Sequence, residues 1–396
     1  MRKNTFAAGV AAVTVGLALT APPAQAAPTG TVLAEGSALA VPGSYVVQLK
    51  DTELSAQDVT ASAHALAARY GGRAERIYGA ALRGFSARLG PAAARRLAAD
   101  PAVALVEQDQ RFTATTTQSP VPSWGLDRID QRYLPLDNSY TYTSTGLGVD
   151  VYVIDSGVRI AHPEFGGRAV DGYDAVENDN VAQDGNGSGT YVAGIIAGST
   201  YGVAKQARII AVRVLDNAGS GTTAGLVAGI NWTVNHYVST GRARPAAVNL
   251  GVGGGASTAL DNAVASAVSR GLTVGVPAGD SNANAASYSP ARVASAITVG
   301  ATTRTDARTS SSNYGAVLDI FAPGASITSV GSPVTRSGTP TATPHVVGCV
   351  ARHLQANPTA TPAQVQAALI SYATPGIVAA PGTGSPNRLL HCPPTL

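Results

Sequence analysis

Hydrophobic and polar positions between residues 44 and 112 change period several times. The order is strand, helix, two strands, helix and strand, at residues 45–49, 59–70, around 78 and 85, 92–99 and 103–106. Apolar residues alternate in the strand segments and recur every three to four positions in the helical ones. This order predicts a split βαβ unit, a small α+β sandwich.

Beyond residue 122 the apolar runs alternate with helical patterns. The strand-like runs are at 149–154, 209–215, 246–250, 272–276 and 296–299. Strands that alternate with helices in this way predict a parallel sheet covered by helices on both faces. Residues 113–122 are polar and rich in Thr and Pro, so we predict a linker between the two parts.

The amino-terminal segment has the pattern of a secretory signal peptide. Arg2 and Lys3 precede an apolar run at 6–19, and the small residues Ala24 and Ala26 flank Gln25. The run is too short to predict a membrane span, and no other stretch qualifies. We therefore expect a signal peptide at 1–26, a short leader at 27–43, and a secreted chain without a membrane partner after processing.

Composition excludes some classes of function. Among 396 residues, 13% are charged and the net charge is +3, too little basic charge to indicate a nucleic-acid partner. Cys349 and Cys392 are the only cysteines. In an exported protein such a pair is either bridged or free, and connectivity cannot be read from sequence.

Six stretches of the second part carry a resemblance to a known family: "VYVIDSGV", "GNGSGTYVAGIIAG", "VNLGVGGGASTALDNAV", "PAGDSNANAASYSPA", "SNYGAVLDIFAPG" and "SGTPTATPHVVG". Together they resemble the subtilisin-like serine proteases, in particular the proteinase K branch, over residues 120–391. The smaller part, 44–112, resembles the inhibitory pro-domain of these proteases. The resemblance implies an α/β subtilisin-like domain at 123–396, with a parallel sheet flanked by helices, after an α+β ferredoxin-like pro-domain.

Family members are Ser-His-Asp peptidases, in which an imidazole deprotonates the serine, a carboxylate orients the imidazole and donors bind the oxyanion. Asp155 in "VIDSG" matches the triad acid and ends a predicted strand. Without the resemblance, an Asx-turn residue would be the plainer interpretation. The family's "HGTH" is "SGTY" here, which places Ser188 at the triad histidine and Tyr191 at the second histidine. A hydroxyl cannot replace imidazole as a base near neutral pH, so we predict that Ser188 serves as a helix N-cap.

Two further catalytic positions are substituted. The family's "GTSMATPH" is "GTPTATPH", which places Pro340 at the nucleophile, in the predicted first turn of a helix. Proline also lacks the backbone N–H that the nucleophile contributes to the oxyanion hole. The family's oxyanion asparagine in "AAGN" is Asp280 in "PAGD", and an ionised carboxylate only accepts hydrogen bonds.

A displaced catalytic pair would have to use Ser337 with His345 or His162, and we do not expect one. No spacing typical of a metal site occurs in the sequence. The resemblance places the peptide-binding strand at Gly251, Val252 and Gly253, and the first specificity pocket at Pro277, Ala278 and Gly279. Both segments could also be glycine-tolerant strand ends, and the loop at 330–336 is shorter than usual.

The resemblance implies one candidate calcium site, with Asp319 and the carbonyls of Ala294 and Ala296, although Asp319 could equally be a plain strand-end residue. No cofactor is required. The predicted function is a secreted, monomeric pseudoprotease that at most binds a polypeptide in its cleft, its own pro-domain or another protein. The alternative is an active secreted subtilisin-like serine endopeptidase.

Overall fold

The structure, a computed structural model, describes residues 28–37, 40–50, 54–111, 115–331 and 335–396. The predicted signal peptide at 1–26 lies outside the described residues, as do linker residues 113 and 114. Contacts divide the chain into two compact units, Met1–Phe112 and Thr113–Leu396.

The first unit is a five-stranded sheet with two helices. Its elements are β1 (Val32–Leu33), β2 (Ala40–Leu49), α1 (Ala56–Arg69), β3 (Arg73–Tyr78), β4 (Gly84–Arg88), α2 (Pro91–Leu97) and β5 (Val103–Gln110). The strand order is β1-β5-β2-β4-β3, and the inner pairs are antiparallel. Ser55 caps α1 through the N–H of Asp58, and the helix buries Val59 and Ala63 in the core of this unit. The predicted α+β ferredoxin-like arrangement is confirmed.

The second unit contains the remaining elements. Its helices are α3 (Trp124–Ile129), α4 (Ser188–Ala197), α5 (Thr223–Ser239), α6 (Thr258–Ser269), α7 (Thr339–Ala356) and α8 (Pro362–Tyr372). Its strands are β6 (Thr116–Gln118), β7 (Tyr140–Tyr142), β8 (Asp150–Asp155), β9 (Ala169–Asp174), β10 (Arg208–Arg213), β11 (Ala246–Leu250), β12 (Gly254–Gly255), β13 (Thr273–Pro277), β14 (Tyr288–Ser289), β15 (Ile297–Thr302), β16 (Ile320–Pro323), β17 (Ile327–Thr328), β18 (Thr335–Arg336), β19 (Thr374–Pro375) and β20 (Arg388–Leu389).

The large sheet has the order β19-β20-β16-β15-β13-β11-β8-β10-β9, and its strand pairs are parallel except β19 with β20. Alternate side chains of β8 enter two cores. Val151 and Val153 pack in the core that contains α4 and α7, whereas Tyr152 and Ile154 pack in the core that contains α5 and α6. Helices therefore cover both faces, and the predicted subtilisin-like α/β class is confirmed.

Some segments differ from their expected structure. The segment 27–43 contains β1 and the start of β2, because β1 pairs with β5 and extends the sheet. The expected linker contains β6, which pairs with β7 in the second unit. The domain boundaries stay a prediction.

The two cysteines form a disulfide. Cys349 lies in α7 and Cys392 near the carboxyl terminus, with their Cα atoms 5.8 Å apart. Both side chains are buried in the same core. The pairing left open by the sequence is therefore settled, and it ties the carboxyl-terminal segment to α7.

Candidate active site

The candidate site lies at the carboxyl edge of three adjacent strands. Asp155 is the last residue of β8, and β11 and β13 follow β8 in the sheet order. Gly251 comes directly after β11, where an added Cβ would lie 2.2 Å from Asp155 Oδ2. Position 251 therefore requires glycine because a side chain would collide with this carboxylate, and not because of a turn.

Asp155 is buried and has hydroxyl and amide donors instead of an imidazole. The backbone N–H of Ser156 donates to Asp155 Oδ1 at 2.8 Å. Burial raises the pKa of Asp155 to about 6, although hydrogen bonds from Ser156 and the Ser188 side chain lower it. The structure therefore brings together Asp155 and Ser188, the residues that the resemblance places at the triad acid and base positions.

The start of α4 corrects the expected role of Ser188. Gly187, with φ at 95°, is the N-cap, and Ser188 is the first helical residue. The first-turn donors are satisfied from outside the helix, because Gly189 N–H donates to Ser156 Oγ at 3.0 Å and Thr190 N–H to Asp184 Oδ2 at 2.9 Å. The predicted N-cap role of Ser188 is wrong, since those acceptors already meet the need for a cap.

Tyr191, at the second histidine position, is buried and has partners in a different part of the chain. Its hydroxyl donates to the carbonyl of Ile327 at 2.5 Å and accepts from Arg336 N–H at 3.3 Å. The Arg336 guanidinium lies 5.0 Å from the Tyr191 ring centroid. Burial raises the pKa of Tyr191 to about 12, so its hydroxyl stays protonated at neutral pH. Tyr191 connects α4 to the hairpin of β17 and β18.

The start of α7 brings Pro340 and Asp280 together. Pro340 is the second residue of α7, in the first turn, as predicted. The N–H of Thr339 lies 3.0 and 3.1 Å from the two carboxylate oxygens of Asp280, and Thr339 Oγ1 donates to Asp280 Oδ2 at 3.1 Å. Asp280 therefore acts as an acceptor at the first turn of α7, where a negative charge is favourable.

A cavity of about 240 Å³ contains much of the expected substrate cleft. Its wall includes Gly253, Pro277, Ala278 and Gly279, together with Asp280 and Pro340. Gly251 and Val252 are not part of this wall. Backbone groups of the pocket segment bond within the chain, since Asn313 donates to the Ala278 carbonyl at 2.8 Å and Gly279 N–H donates to Thr339 Oγ1 at 3.0 Å.

The residues named for a displaced catalytic pair have other partners. Ser337 Oγ accepts from the N–H of Ser326 at 2.8 Å. His162 Nδ1 accepts from the N–H of Glu164 at 3.3 Å. His345 is buried against Gly125, and burial lowers the pKa of His345 to about 4.

The residues of the candidate calcium site do not fit a metal ion. Asp319 Oδ2 accepts from the N–H of Thr298 at 2.8 Å, and Oδ1 accepts from the amide of Gln366 at 2.8 Å. Both carboxylate oxygens are thus directed to donors of the chain. Ala294 and Ala296 would add backbone carbonyls, so Asp319 is the only carboxylate among the three residues. Within the described ranges, no group of three or more His, Cys, Asp or Glu residues is arranged to hold a metal.

Two polar residues of the site, Asp184 and Thr339, were not named from the sequence. Asp184 stands four positions before Ser188, close to the usual place of a capping carboxylate, so a helix-start signal was present. Thr339 carried no such signal, because its partner Asp280 is 59 residues away along the chain.

Known proteins support the same fold. A sequence model of the Subtilase family (Peptidase_S8) matches residues 146–389, and one of Peptidase inhibitor I9 matches residues 44–115. The "Extracellular serine proteinase" of Thermus sp. (strain Rt41A) is 48% identical over 394 residues, which cover 94% of this chain and 95% of the relative. The "Alkaline serine exoprotease A" of Vibrio alginolyticus is 45% identical over 368 residues, covering 89% and 68%.

A solved structure gives the same result. The crystal structure of a cold adapted subtilisin-like serine proteinase is 49% identical, with a TM-score of 0.66, and the match covers 69% of this chain and 99% of that chain. In the described part of the chain, no helix is long and apolar enough to cross a membrane. The family match covers more than half of the chain, and the chain therefore belongs to the Subtilase family, with a peptidase inhibitor I9 domain preceding the subtilase domain.

Proposed function

We propose that this chain is a secreted member of the proteinase K branch that has lost peptidase activity and keeps a polypeptide-binding cleft. The observation that carries the proposal is the pairing of Asp280 with Thr339 beside Pro340. In the family, the segment after β13 and the first turn of α7 supply the nucleophile and the oxyanion donors. Here these two segments hold the carboxylate of Asp280 and Pro340.

Acyl transfer requires a hydroxyl that can lose its proton, and Pro340 offers neither a hydroxyl nor a backbone N–H. Asp280 adds negative charge where the family places an amide donor. Its oxygens accept from Thr339 at 3.0 and 3.1 Å, which orients the carboxylate toward the helix rather than toward a substrate. A developing oxyanion would meet repulsion instead of stabilisation.

The position of the triad histidine, which would be the catalytic base, is occupied by Ser188. The partner of Asp155 is the hydroxyl of Ser188, which does not take up a proton near neutral pH. His162 and His345 are held by other contacts, as described above. Loss of base, nucleophile and oxyanion donor at separate positions favours an inactive chain over one impaired at a single step.

The alternative is an active secreted serine endopeptidase. The observation that favours it is that two relatives, 48% and 45% identical, bear the names of a serine proteinase and a serine exoprotease. Activity would require Ser337 or Ser188 as nucleophile. Ser337 Oγ accepts from a backbone N–H, and Ser188 bonds to the carboxylate of Asp155 instead of an imidazole.

Binding is supported by what the site retains. A cavity of about 240 Å³ with glycine-rich walls can accept a side chain of an extended peptide. The I9 match supports the chain's own pro-domain as one partner. The signal-like amino terminus and the name of the extracellular Thermus relative support secretion, and we propose a monomer.

The test is a peptidase assay combined with a fluorophosphonate probe on the folded full-length chain. The probe reacts only with an activated serine. We expect neither turnover of a denatured protein substrate nor labelling, while an active subtilase labels stoichiometrically in parallel. Labelling that maps to Ser337 or Ser188, together with turnover, would establish the alternative.

A further inference from the structure

The cavity of about 240 Å³ beside Pro340 has an apolar inner wall and an open outer side. Ala278 and Ala291 in its wall are buried, whereas Asp280 is exposed to solvent. A Cβ added to either glycine of β12 would meet no atom within 4 Å, so this part of the wall does not obstruct the cavity. Asp280 therefore lies at the open side of a cavity whose inner wall is apolar.

The wall of this cavity carries one negative charge and no positive charge. Asp280 is its only charged residue, and no Lys, Arg or His of the described part of the chain contributes to it. The groups that donate to Asp280 are neutral: the N–H and Oγ1 of Thr339 at 3.0 to 3.1 Å, and Oγ of Ser311 at 3.5 Å. These bonds orient the carboxylate but do not neutralise its charge.

The first turn of α7 offsets only part of this charge. A helix N-terminus is equivalent to about half a positive charge, whereas an ionised Asp280 carries a full negative charge. Pro340, in the same turn, has no N–H to direct at the carboxylate. The open side of the cavity therefore keeps a net negative charge.

An apolar wall with a carboxylate at its open side discriminates among the side chains of a bound polypeptide. A long side chain with an aliphatic stem and a cationic end can bury the stem and keep its charge near solvent. An acidic side chain would be repelled by the like charge. An aliphatic side chain would gain burial but would not pair with the carboxylate.

We propose that this cavity accepts a cationic side chain of the lysine type from the bound polypeptide. The stem packs on Ala278 and Ala291, and the ammonium lies near Asp280. The carboxylate that replaces an oxyanion donor thus gives the cleft a preference for basic polypeptides. The inference rests on the proposed polypeptide-binding function and adds to it the chemical class of the polypeptide.

Fluorescence anisotropy of the full chain with labelled tetrapeptide amides tests this preference. The peptides have three alanines followed by lysine, norleucine or glutamate, and norleucine keeps the aliphatic stem without the charge. The measured quantity is the ratio of the Kd of the norleucine peptide to the Kd of the lysine peptide. A change that affects only the fold or the backbone contacts acts on both peptides and cancels in this ratio. In the natural chain, we expect the glutamate peptide to bind about tenfold more weakly than the lysine peptide.

Two variants change the charge of the wall in different ways. D280N removes the charge and keeps an oxygen acceptor for α7, and we expect it to lower the ratio about threefold to fivefold, as for an exposed ion pair. S281K keeps Asp280 and its contact with Thr339 and adds a cation to the wall, so it should lower the ratio as well. Ser281 is exposed, and its side chain has no hydrogen bond within the described ranges. S281Q, the matched control, adds length without charge and should leave the ratio unchanged.

The possible results separate this inference from the function on which it rests. Equal ratios in the natural chain, D280N and S281K would overturn the inference and leave polypeptide binding intact. An effect of S281Q as large as that of S281K would overturn it too, because length rather than charge would explain the change. Absence of binding by every peptide at about 1 mM would contradict the cleft itself, and this inference with it. Cleavage of the peptides would contradict the proposed inactivity, and the ratio of kcat/KM for the lysine and norleucine peptides would then decide the preference.

Circular dichroism checks that each variant is folded. S281K supplies the reading if D280N weakens the start of α7, because it leaves the Asp280 carboxylate in place.

Discussion

The carboxylate of Asp280 accepts from the N–H of Thr339, with its two oxygens 3.0 and 3.1 Å from that nitrogen. This contact joins the segment after β13 to the first turn of α7. A Cβ added to the intervening Gly338, whose φ is 129°, would lie 2.9 Å from Asp280 Oδ2. Asp280, which the resemblance places at the oxyanion position, thus supplies an acceptor for the first turn of a helix.

Asp280 should therefore contribute to stability. We expect D280A to lower the free energy of unfolding by about 1 kcal/mol, because the first turn of α7 loses its side-chain acceptor. D280N keeps an oxygen acceptor and should lose less. Urea unfolding followed by circular dichroism measures both variants, and equal losses would contradict the capping role.

Restoring the catalytic groups should restore some activity only when all three are present. The variant that combines S188H, D280N and P340S regains a base, a nucleophile and two oxyanion donors. We expect measurable endopeptidase activity, limited by Pro277 and Thr341. Each single reversion should stay near background, because triad members act as a unit. A folded but inert triple variant would show that the cleft itself no longer accepts substrate.

The buried Asp155 should make stability depend on pH. Its pKa is about 6 in the folded chain against 3.8 as the ordinary value, so the folded state binds more protons between these values and stability falls as pH rises through this window. Above about pH 6 the full penalty, on the order of 3 kcal/mol, is present. D155N should therefore be more stable than the natural chain at pH 7 to 8, with the difference shrinking below about pH 4.

Thermal unfolding across this pH range measures the effect. A D155N profile parallel to that of the natural chain would show that Asp155 does not titrate between the folded and unfolded states.

Processing offers an independent test of inactivity. The resemblance implies that an active chain would cut away its own pro-domain, so an inactive chain expressed alone should retain residues 27 to about 118 after signal removal. Intact-mass measurement distinguishes the two cases. A mature form that begins near Ser119, produced with no other protease present, would contradict the proposed function.

The disulfide should stabilise the second unit. Cys349 and Cys392 are 43 residues apart, and closing a loop of that length removes about 4 kcal/mol of chain entropy from the unfolded state in the entropic model. We expect C349A/C392A to lower the denaturant midpoint clearly, and reduction of the natural chain to do the same. A variant as stable as the natural chain would show that packing alone holds the carboxyl-terminal segment on α7.

The sequence alone determined the class of both units and the strands that carry the site. A strand or helix that buries one or both of its faces has apolar residues at a regular spacing. The segments of β8, β11 and α1 were therefore predictable from local patterns. The same holds for Asp155 at the end of β8 and for Pro340 in the first turn of α7, since strand ends and helix starts have local residue preferences.

Only the tertiary structure decided which groups meet. Asp280 bonds to Thr339, 59 residues away, and Cys349 bonds to Cys392, 43 residues away. At the start of α4, Ser156 and Asp184 accept the hydrogen bonds that Ser188 was expected to accept as a cap. Arg168, Arg208 and Arg244 are far apart in sequence and line one cavity only because β9, β10 and β11 align with β8. Local periodicity reports which residues are buried, whereas partners distant in the chain depend on strand order and helix packing, which no local pattern encodes.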